Sequence, residues 1–443
     1  MDRQNFSYRS YAWQKLKRKK SALYALYLIV ALGIVAMLAP FLANHHPLYA
    51  KIGDQTLFPA FSQTFTQKST DTLFHENGTY TVILYNQIDW RTLQLDRVLW
   101  PPVAYSPQFS DKYNRDYVSP FDEQRYKNSA GEIAPIPFGR RHWMGTDKVG
   151  RDVASGIIHG SKTSLLVGLF SVLLAALIGV PLGAFAGYFG DHGIKLPRAQ
   201  YWISILGSIL GIFLGFVSRS FEIEQGFSES LVYGSLQVGL SILIVLLTSI
   251  LFFWMGHFVS RGKFLGKAVD LPLDSWVSRV IEILNSLPTL ILIITVAAII
   301  NERSMVMLVV IIGFTSWTGM ARFMRAEMMK IKEMEYIQAA KVLGFSWKRI
   351  IFKHAIPNGL APVFTAAAFG VASAILVESG LSFLGIGVPD DVVTWGKLLS
   401  SGKEEFEASW LVIFPGLAIF FTVTAYNLLG EGLRDALDPK MKS

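Results

Sequence analysis

Residues 335–358 read EYIQAAKVLGFSWKRIIFKHAIPN and connect two long apolar segments. Apolar side chains recur at helical spacing before Gly344 and again after Ser346, which predicts two short helices separated by a glycine bend. Ser346 would cap the second helix, and Pro357 would end it. The two helices would carry an apolar ridge with a basic rim. That pattern alone fits a groove on a partner protein and a layer of lipid headgroups equally well.

The composition is typical of a protein with many membrane spans. Of the 443 residues, 51% are hydrophobic, and the formal net charge is +8. The basic residues cluster beside apolar segments, which is the orientation signal of membrane proteins, so we expect no nucleic-acid partner. The chain contains no cysteine, which excludes disulfides, thiolate metal sites and thiol nucleophiles.

Eight segments are apolar and long enough to cross a bilayer, which takes about 20 helical residues. Seven basic residues precede the first segment, so its start should face the cytoplasm, and its length favours a retained anchor over a cleaved signal peptide. An even number of spans would then place both termini in the cytoplasm. The predicted spans are residues 21–43, 164–188, 200–217, 231–259, 277–300, 305–320, 360–379 and 410–429.

The loops between these segments differ in charge and in composition. Residues 321–358 contain eight Lys or Arg and three acidic residues, whereas residues 380–409 contain two and five, as expected for an inner and an outer loop. Residues 44–160 form a long polar stretch that should lie outside. Within this stretch GTYTVILYNQIDW, residues 78–90, is rich in β-branched and aromatic residues, so we expect a small domain of strands and irregular structure.

Motifs for catalysis and for cofactor binding are missing from the sequence. It contains no P-loop pattern for ATP, no HExxH zinc motif and no GxSxG nucleophile. His45 and His46 are adjacent, but two ligands do not make a metal site, so a solvated pair is the simpler interpretation. We therefore expect an all-α polytopic membrane protein without a catalytic residue, a bound cofactor or a metal ion.

The opening stretch resembles the E-A-A-x-x-x-G loop of ABC importer permeases, and Ile356-Pro357-Asn358 follow as in that family. There the loop forms the helices that dock on the ATPase subunit. The resemblance implies that a glutamate faces the ATPase, that two alanines are small because a partner approaches closely, and that a glycine sets the bend. The candidate ATPase-coupling residues are Glu335, Ala339, Ala340, Gly344, Trp347, Ile350 and Pro357.

Three further stretches narrow the resemblance to the permeases of peptide and nickel importers. HWMGTDKVGRDV (residues 142–153) is similar to their H-x-L-G-T-D-x-x-G-R-D-V motif, and ESGLSFLGIGVPDDVVTWG (378–396) and NLLGEGLRDALDP (427–439) are similar to two later motifs. The number and order of these motifs make the chain resemble a C-type permease of an oligopeptide or dipeptide importer. The motif residues at the outer side are Gly145, Thr146, Asp147, Gly150, Arg151 and Asp152.

Two features depart from that family. The outer stretch is longer than usual, and about eighty residues with two apolar segments separate residues 187–191 from 273–288, which normally nearly abut. The inserted pair either spans or forms a re-entrant hairpin; Gly207, Gly211 and Gly215 favour a packed span. The predicted organisation is a basic cytoplasmic tail at 1–20, a first span at 21–43, an outer domain at 44–160, a second span at 161–190, an inserted segment with two extra spans at 191–273, a permease core at 274–430 with the coupling loop 321–358, and a cytoplasmic tail at 431–443.

Two charged sites leave alternatives open. Glu378 is the one charge in a long apolar stretch, so it either lines the transport path or already lies at the wet outer interface. Arg151 and Asp152 either pair with each other to fix the approach to the second span or are solvated, because exposed pairs contribute only about 0–1 kcal/mol.

The resemblance implies a permease subunit of an ABC importer in the bacterial inner membrane. It would work by alternating access and carry oligopeptides or dipeptides. The partners would be a B-type permease, two ATPase subunits that bind ATP and magnesium, an extracytoplasmic binding protein and membrane lipid. The rival interpretation is a secondary transporter that works without ATPase partners. It would have inverted repeats and broken helices at the membrane midplane, and the sequence indicates neither.

Overall fold

The computed structural model describes residues 8–52, 55–66, 70–74, 80–84, 90, 93, 96–127, 132–229, 231–261, 266–300 and 303–437. Helices dominate these ranges and the strands are short, which confirms the predicted all-α membrane fold. The chain divides into two compact units. The first consists of residues 1–16, 170–370 and 430–443, and the second consists of residues 17–169 and 371–429.

Seven helices among the described residues are long and apolar enough to cross a membrane, and one bent helix pair supplies an eighth crossing if it is counted as one span. Helices satisfy their own backbone polar groups, as hydrocarbon requires. In chain order the helices are α1 (Tyr8–Arg18), α2 (Lys20–Leu42), α3 (Pro59–Thr66), α4 (Val153–Phe189), α5 (Arg198–Ile212, continued by a π turn at Phe213–Val217), α6 (Ser220–Glu229), α7 (Leu231–Val259), α8 (Leu273–Ser286), α9 (Thr289–Ile300), α10 (Met305–Ile331), α11 (Glu335–Val342), α12 (Trp347–Arg349, continued by a π turn at Ile350–Ala355), α13 (Ile356–Phe383), α14 (Trp395–Ser401) and α15 (Trp410–Leu437).

The second span begins earlier than the sequence predicted. Helix α4 starts at Val153, so the predicted starts at residues 161 and 164 are wrong. Gly156 and Gly160 lower the hydrophobicity of the first turns of α4, so the sequence pattern does not indicate a helix there. In the structure both glycines allow close packing. A Cβ atom at Gly156 would lie 2.9 Å from Leu398 Cδ2, and one at Gly160 would lie 2.9 Å from Trp395 Cδ1.

The straight span predicted at residues 277–300 is also wrong, because α8 and α9 meet at an angle of 85°. Pro288 causes the break. The residue before a proline avoids the helical region, and Leu287 is accordingly extended, with φ −90° and ψ 133°. This bend also contradicts the expectation that the chain has no broken helix. Helix α8 buries Asp274 on the same face as Val277 and Ile281, and it exposes Arg279 and Glu282 on the other side.

Pro357 does not end the second helix of the opening stretch. The helix from Trp347 continues through Pro357 to Phe383, 37 residues in all. The π turn directly before the proline shifts the hydrogen-bond register, since the N–H of Ile356 donates to the carbonyl of Ile351. The missing N–H of Pro357 therefore falls where the helical ladder is already interrupted.

Three glycines one turn apart let α4 lie directly against α10 in the first unit. The stretch GVPLGAFAG, residues 179–187, has the four-residue glycine spacing that allows close helix approach. This packing was not among the predictions from the sequence. Cβ atoms at Gly179, Gly183 and Gly187 would lie 2.5, 2.3 and 2.4 Å from the carbonyl oxygens of Trp317, Ala321 and Arg325, respectively.

The inserted segment is a helical hairpin on a two-stranded base. Strands β8 (Lys195–Pro197) and β9 (Ala268–Asp270) pair antiparallel, and α5 and α7 pack along each other between them. The packing role predicted for Gly207, Gly211 and Gly215 is confirmed, and residues 220–229 between the two long helices form the helix α6. Cβ atoms at Gly207, Gly211 and Gly215 would lie 2.2 Å from Phe252 Cβ, 3.1 Å from the carbonyl oxygen of Val245 and 2.7 Å from that of Ser241, respectively.

The outer domain contains short antiparallel strands and irregular chain, as predicted, together with helix α3. Strand β1 pairs with β2 and β5, β3 with β4, and β6 with β7. The predicted strand at residues 78–90 is present as β4, and residues 78–79 and 85–89 lie outside the described residues. The strands are β1 (Tyr49–Ile52), β2 (Gln55–Leu57), β3 (Thr70–Phe74), β4 (Tyr80–Leu84), β5 (Arg97–Leu99), β6 (Arg125–Lys127) and β7 (Ile133–Pro135).

Candidate functional site

The coupling segment, residues 335–358, begins with α11 and a glycine turn. Gly344 has φ +77° and donates its N–H to the carbonyl of Lys341 at 3.0 Å, while Phe345 donates to that of Ala340 at 3.0 Å. Together these bonds satisfy the last carbonyls of α11, and the positive φ favours glycine. The predicted bend is confirmed. Nothing lies within 4 Å of a Cβ atom built at Gly344, so the turn is open to a partner.

The two alanines of the motif face in opposite directions. Ala340 is buried together with Ile337, whereas Ala339 and Glu335 are exposed on the other side of α11. The small size of Ala340 therefore has an explanation within its own chain, which corrects the expectation that a partner requires it. Ala339 and Glu335 remain available for contact, and their role stays a prediction.

At the start of the second helix, the apolar residues predicted to share one face differ in burial. Ser346 caps it, because its Oγ accepts from the N–H of Arg349 at 3.5 Å. Ile350 is buried, but Trp347 is partly exposed and its ring lies 5.5 Å from that of Phe189 at the end of α4. Ile350 and Trp347 thus fix the segment to its own chain. Pro357 lies inside the continuing helix, so we no longer expect it to shape a second short helix.

The tip of the coupling segment is apolar and exposed. The side chains of Val342 and Leu343 are 88% and 72% exposed, although neither lies in a predicted span. Lys341, Lys348 and Arg349 are exposed around them. An apolar tip with a basic rim at a rigid turn is typical of a protein contact.

The outer-side motif ties the start of α4 to the outer domain. Gly150 has φ +84°, and a Cβ atom there would lie 2.2 Å from the carbonyl oxygen of Asp111, so only glycine fits. Thr146 donates its hydroxyl to the carbonyl of Asn114 at 2.8 Å. Gly145 also has a positive φ, +76°. These residues hold a loop against a helix end, which is a structural task.

Arg151 and Asp152 do not pair with each other, and Asp152 is buried, so neither of the two alternatives describes the pair. The Nε of Arg151 donates to Oδ2 of Asp147 at 2.7 Å. Asp152 instead accepts from the N–H of Ser155 at 2.6 Å and contacts Nδ1 of His142 at 2.8 Å. The two charges belong to separate pairs because adjacent residues point apart where the chain enters α4.

A buried histidine between two carboxylates lies at the centre of this motif. His142 Nε2 is 3.3 Å from Asp111 Oδ2, and its other ring nitrogen contacts Asp152. Gln124 holds the backbone of His142, accepting from its N–H at 2.7 Å and donating to its carbonyl at 3.0 Å. The ring of Tyr105 stacks on the imidazole at 3.9 Å. Residue spacing does not indicate this network, although His142 opens the outer-side motif.

The charges of this network shift its ionisation. Burial alone would lower the pKa of His142, but the hydrogen bonds and charges of Asp111 and Asp152 outweigh burial, so the pKa is raised. Burial alone would raise the pKa of Asp111, but hydrogen bonds from His142, Tyr113 and Asn114 lower it. The hydrogen bonds and charges of the two carboxylates therefore favour the protonated form of the His142 imidazole.

Glu378 is fully buried, at 0% exposure, so the expectation of a wet outer position is wrong. Hydroxyl groups surround its carboxylate. Ser382 donates to Oε1 at 2.7 Å, and Ser164 donates to Oε2 at 2.9 Å. Because Ser164 lies on α4 and Glu378 on α13, the carboxylate joins two spans of the second unit. A role in the transport path stays a prediction.

The adjacent histidines are not both solvated, as the sequence had suggested. His46 is buried, and burial followed by the charge of His45 lowers its pKa to about 3. The two rings lie 3.8 Å apart, and His45 Nδ1 is 2.9 Å from the hydroxyl of Ser106. His46 is therefore neutral and serves as part of the packing of the outer domain.

Comparison with known families gives two matches. Residues 262–443 match the model described as binding-protein-dependent transport system inner membrane component, and residues 7–60 match the N-terminal TM domain of oligopeptide transport permease C. The first match contains the coupling segment, and the second contains α1 and α2.

Individual relatives cover more of the chain. A dipeptide transport system permease protein of Alkalihalophilus pseudofirmus is 31% identical over 303 residues, which are 68% of this chain and 73% of that protein. A peptidoglycan transport system permease protein of Agrobacterium fabrum is 26% identical over 442 residues, 97% of this chain and 92% of that protein. An oligopeptide transport system permease protein of Salmonella typhimurium is 41% identical over 169 residues, 38% of this chain and 56% of that protein.

Proposed function

The chain belongs to the inner membrane components of binding-protein-dependent transport systems, as a multi-pass permease subunit of an ABC importer, and we propose that its substrates are peptides. The names of its relatives support this substrate class, since they include dipeptide, oligopeptide and glutathione permeases. The relative named for peptidoglycan aligns along nearly the whole chain. Fragments of peptidoglycan that carry peptides are therefore a second candidate substrate.

We propose that α11 and its glycine turn make the contact with an ATPase subunit. The observation that carries this proposal is the exposed apolar tip formed by Val342 and Leu343 outside every span. Exposed apolar side chains within a charged rim mark surfaces that contact a partner. Two ATPase subunits would bind ATP and magnesium, and a B-type permease would supply the other half of the transport path.

A continuous helix would carry the movement of the ATPase subunits into the membrane. Helix α12, the π turn and helix α13 follow one another as one helical segment of 37 residues, which corresponds to about 55 Å at about 1.5 Å per residue. A shift at Trp347 would therefore move the far end of the same helix. Alternating access would follow as the closing ATPase subunits push on two such helices, one in each permease.

The outer domain would receive the binding protein. It exposes the aromatic side chain of Phe121 at 92%, and the loop before α15 exposes Phe406 at 90%. Lys148 of the outer domain pairs with Glu404 of that loop at 3.2 Å, and both side chains are exposed. Apolar anchors within a polar rim are typical of a reversible protein contact.

Both termini would lie in the cytoplasm. The basic residues before α2 and in the coupling segment support this orientation, because positively charged loops stay on the inner side. Eight crossings, with α8 and α9 counted as one, return the chain to the side where it started. The coupling segment is then on the side that contains ATP.

Uptake by a reconstituted importer tests this function. The chain would be assembled with its second permease, ATPase subunits and binding protein in proteoliposomes, and uptake of a radiolabelled tripeptide would be measured with and without ATP. We expect uptake only with ATP. A peptide released from peptidoglycan, offered as competitor, distinguishes the two substrate classes by the concentration that halves uptake.

Two variants at one exposed position test the coupling. Ala339→Arg should leave the complex assembled and abolish uptake, whereas the matched control Ala339→Ser should keep uptake near the original rate. Gly344→Pro should act like Ala339→Arg, because proline lacks the N–H that bonds to Lys341 and cannot adopt φ +77°. Normal uptake by Ala339→Arg and Gly344→Pro would refute the assignment.

A further inference from the structure

An open apolar cavity of about 570 Å³ lies in the first unit at the end of α4, beside the start of the second coupling helix. Its volume lies in the range of pockets that bind small molecules, about 300–1,000 Å³. One face of α4 forms one wall of the cavity, and the first turn of α8 forms another. The indole of Trp347 closes the side toward the coupling segment. The apolar lining residues are Leu182, Phe185, Phe189, Leu273, Val277 and Trp347.

The cavity has a basic rim. Lys195 lines it and is exposed, and among the ion pairs of the described residues none involves Lys195. Lys348 Nζ lies 5.6 Å from the centre of the Trp347 ring, which forms one wall. Lys332 Nζ lies 3.9 Å from a Cβ atom built at Gly190, just after α4. Lys195 therefore places a positive charge at the edge of the apolar space, and Lys348 and Lys332 add charge beside Trp347 and beside the end of α4.

Asp270 lies opposite Lys195 in the register of β8 and β9, and its Oδ2 is 2.9 Å from Nδ1 of His192. Two further carboxylates close to the rim are held by other groups of the chain. Asp274 is held by Arg325, whose Nη2 donates to Oδ2 at 2.6 Å. Asp191 accepts from both the N–H and the hydroxyl of Ser275, at 2.8 and 2.6 Å. Both acids are occupied by groups of their own chain, so the lysines present positive charge outward.

We propose that this cavity binds an anionic phospholipid of the cytoplasmic leaflet, with an acyl chain between α4 and α8 and the phosphate beside Lys195. A soluble anion would gain nothing from the apolar walls, and a neutral apolar molecule would gain nothing from the lysines. The end of a membrane span is where a molecule with both parts is available. The proposal goes beyond the transport function and shares with it only the cytoplasmic orientation of this loop.

The position of the cavity gives the lipid a role in coupling. Trp347 belongs to the coupling segment, and its ring packs against Phe185 and Phe189 at 6.3 and 5.5 Å. A bound acyl chain would contact α4 and Trp347 together. The lipid would therefore hold the second coupling helix against the end of α4, and a change in anionic lipid content would change the rate of coupled uptake.

The test uses the assembled importer in nanodiscs that contain phosphatidylglycerol with a diazirine in its acyl chain. After illumination, mass spectrometry locates the labelled peptides. We expect label on the end of α4 and on the peptide that contains Trp347, and much less with diazirine-bearing phosphatidylcholine. Label spread evenly over the lipid-exposed face of α7, without enrichment at the cavity, would overturn the proposal.

Two variants with matched controls separate a built site from ordinary lipid contact. Leu182→Trp fills the cavity and should lower labelling about fifteenfold, because each buried methylene changes affinity about fourfold and the indole displaces at least two. Lys195→Glu should lower labelling at least about fivefold with the anionic lipid only. The controls Leu251→Trp, on the exposed face of α7, and Lys20→Glu, at the start of α2, should leave cavity labelling unchanged.

Two results would contradict the proposal. One is equal labelling of the cavity in the Leu182→Trp variant and in the unmodified importer. The other is a cross-link from the Leu182→Cys variant to an ATPase subunit or to the second permease, together with loss of lipid label on assembly. The cavity would then be a protein interface and not a lipid site.

Discussion

Removal of the His142 side chain should loosen the outer domain selectively. His142→Ala leaves Asp111 and Asp152 buried with no cation between them, at a site where the imidazole had been 3.3 and 2.8 Å from their oxygens. Loss of one partner from a buried pair costs about 3–5 kcal/mol. Asp111 keeps its bond from Asn114 and Asp152 keeps its bond from Ser155, so the cost should fall at the low end, about 3 kcal/mol.

Hydrogen exchange measures this loss directly. A cost of about 3 kcal/mol makes local opening roughly 160-fold more frequent, so the amides of residues 111–125 and 142–152 should exchange faster by about two powers of ten. The matched control is His192→Ala, which removes an exposed histidine 2.9 Å from Asp270. Exchange in the ribbon of β8 and β9 should change little in that variant, because exposed pairs contribute about 0–1 kcal/mol. Unchanged exchange around residue 142 in His142→Ala would refute the reasoning.

The same network predicts a dependence on pH. The raised pKa of His142 means that its stabilisation is fully present below its ordinary value of 6.5 and is lost as pH rises through the higher folded value. The lowered pKa of Asp111 means that its stabilisation is present above 3.8 and is lost as pH falls through the lower folded value. Protection of the outer domain should therefore fall on the alkaline side in the unmodified protein, after correction for intrinsic exchange, and His142→Ala should lack that fall.

Three further outcomes are expected. Gly183→Ala places a methyl group 2.3 Å from the carbonyl oxygen of Ala321 and should lower the free energy of unfolding by about 1–3 kcal/mol. In the control Gly319→Ala the methyl group meets open space. Equal thermal stabilities of the two variants would contradict the packing of α4 on α10. Glu378→Gln should keep a folded protein and most of its uptake, because an amide can still bond the surrounding hydroxyls; a folded variant without uptake would favour the transport path instead. Ser220→Cys should react with an impermeant maleimide added outside intact cells, and labelling only after the membrane is opened would show that the inserted pair does not span.

The sequence predicted the membrane architecture because apolar length and loop charge are local properties. The bend at Gly344 and the cap at Ser346 could also be predicted, since each depends on a few adjacent residues. The failures have a different origin. Pro357 was expected to stop a helix, but the preceding π turn had already shifted the register, and no composition rule indicates such a turn.

The networks that hold the outer side could not be predicted from spacing. Asp111 and His142 are 31 residues apart, and Ser164 and Glu378 are 214 residues apart. Such partners meet only through tertiary folding, so the sequence did not indicate that Asp152 is buried beside His142. The row formed by Gly179, Gly183 and Gly187 on α4 is the exception, because its four-residue spacing is visible in the sequence and allows its packing role to be predicted.

A cross-link from the coupling segment tests the central claim most directly. The chain has no cysteine, so Ala339→Cys introduces a single thiol on the exposed side of α11. In the assembled importer, a short bismaleimide should join this thiol to an ATPase subunit that carries a cysteine in the groove facing the membrane. The control Phe406→Cys, in the outer loop, should give no such product. An intact, active complex in which Ala339→Cys never links to the ATPase would contradict the account.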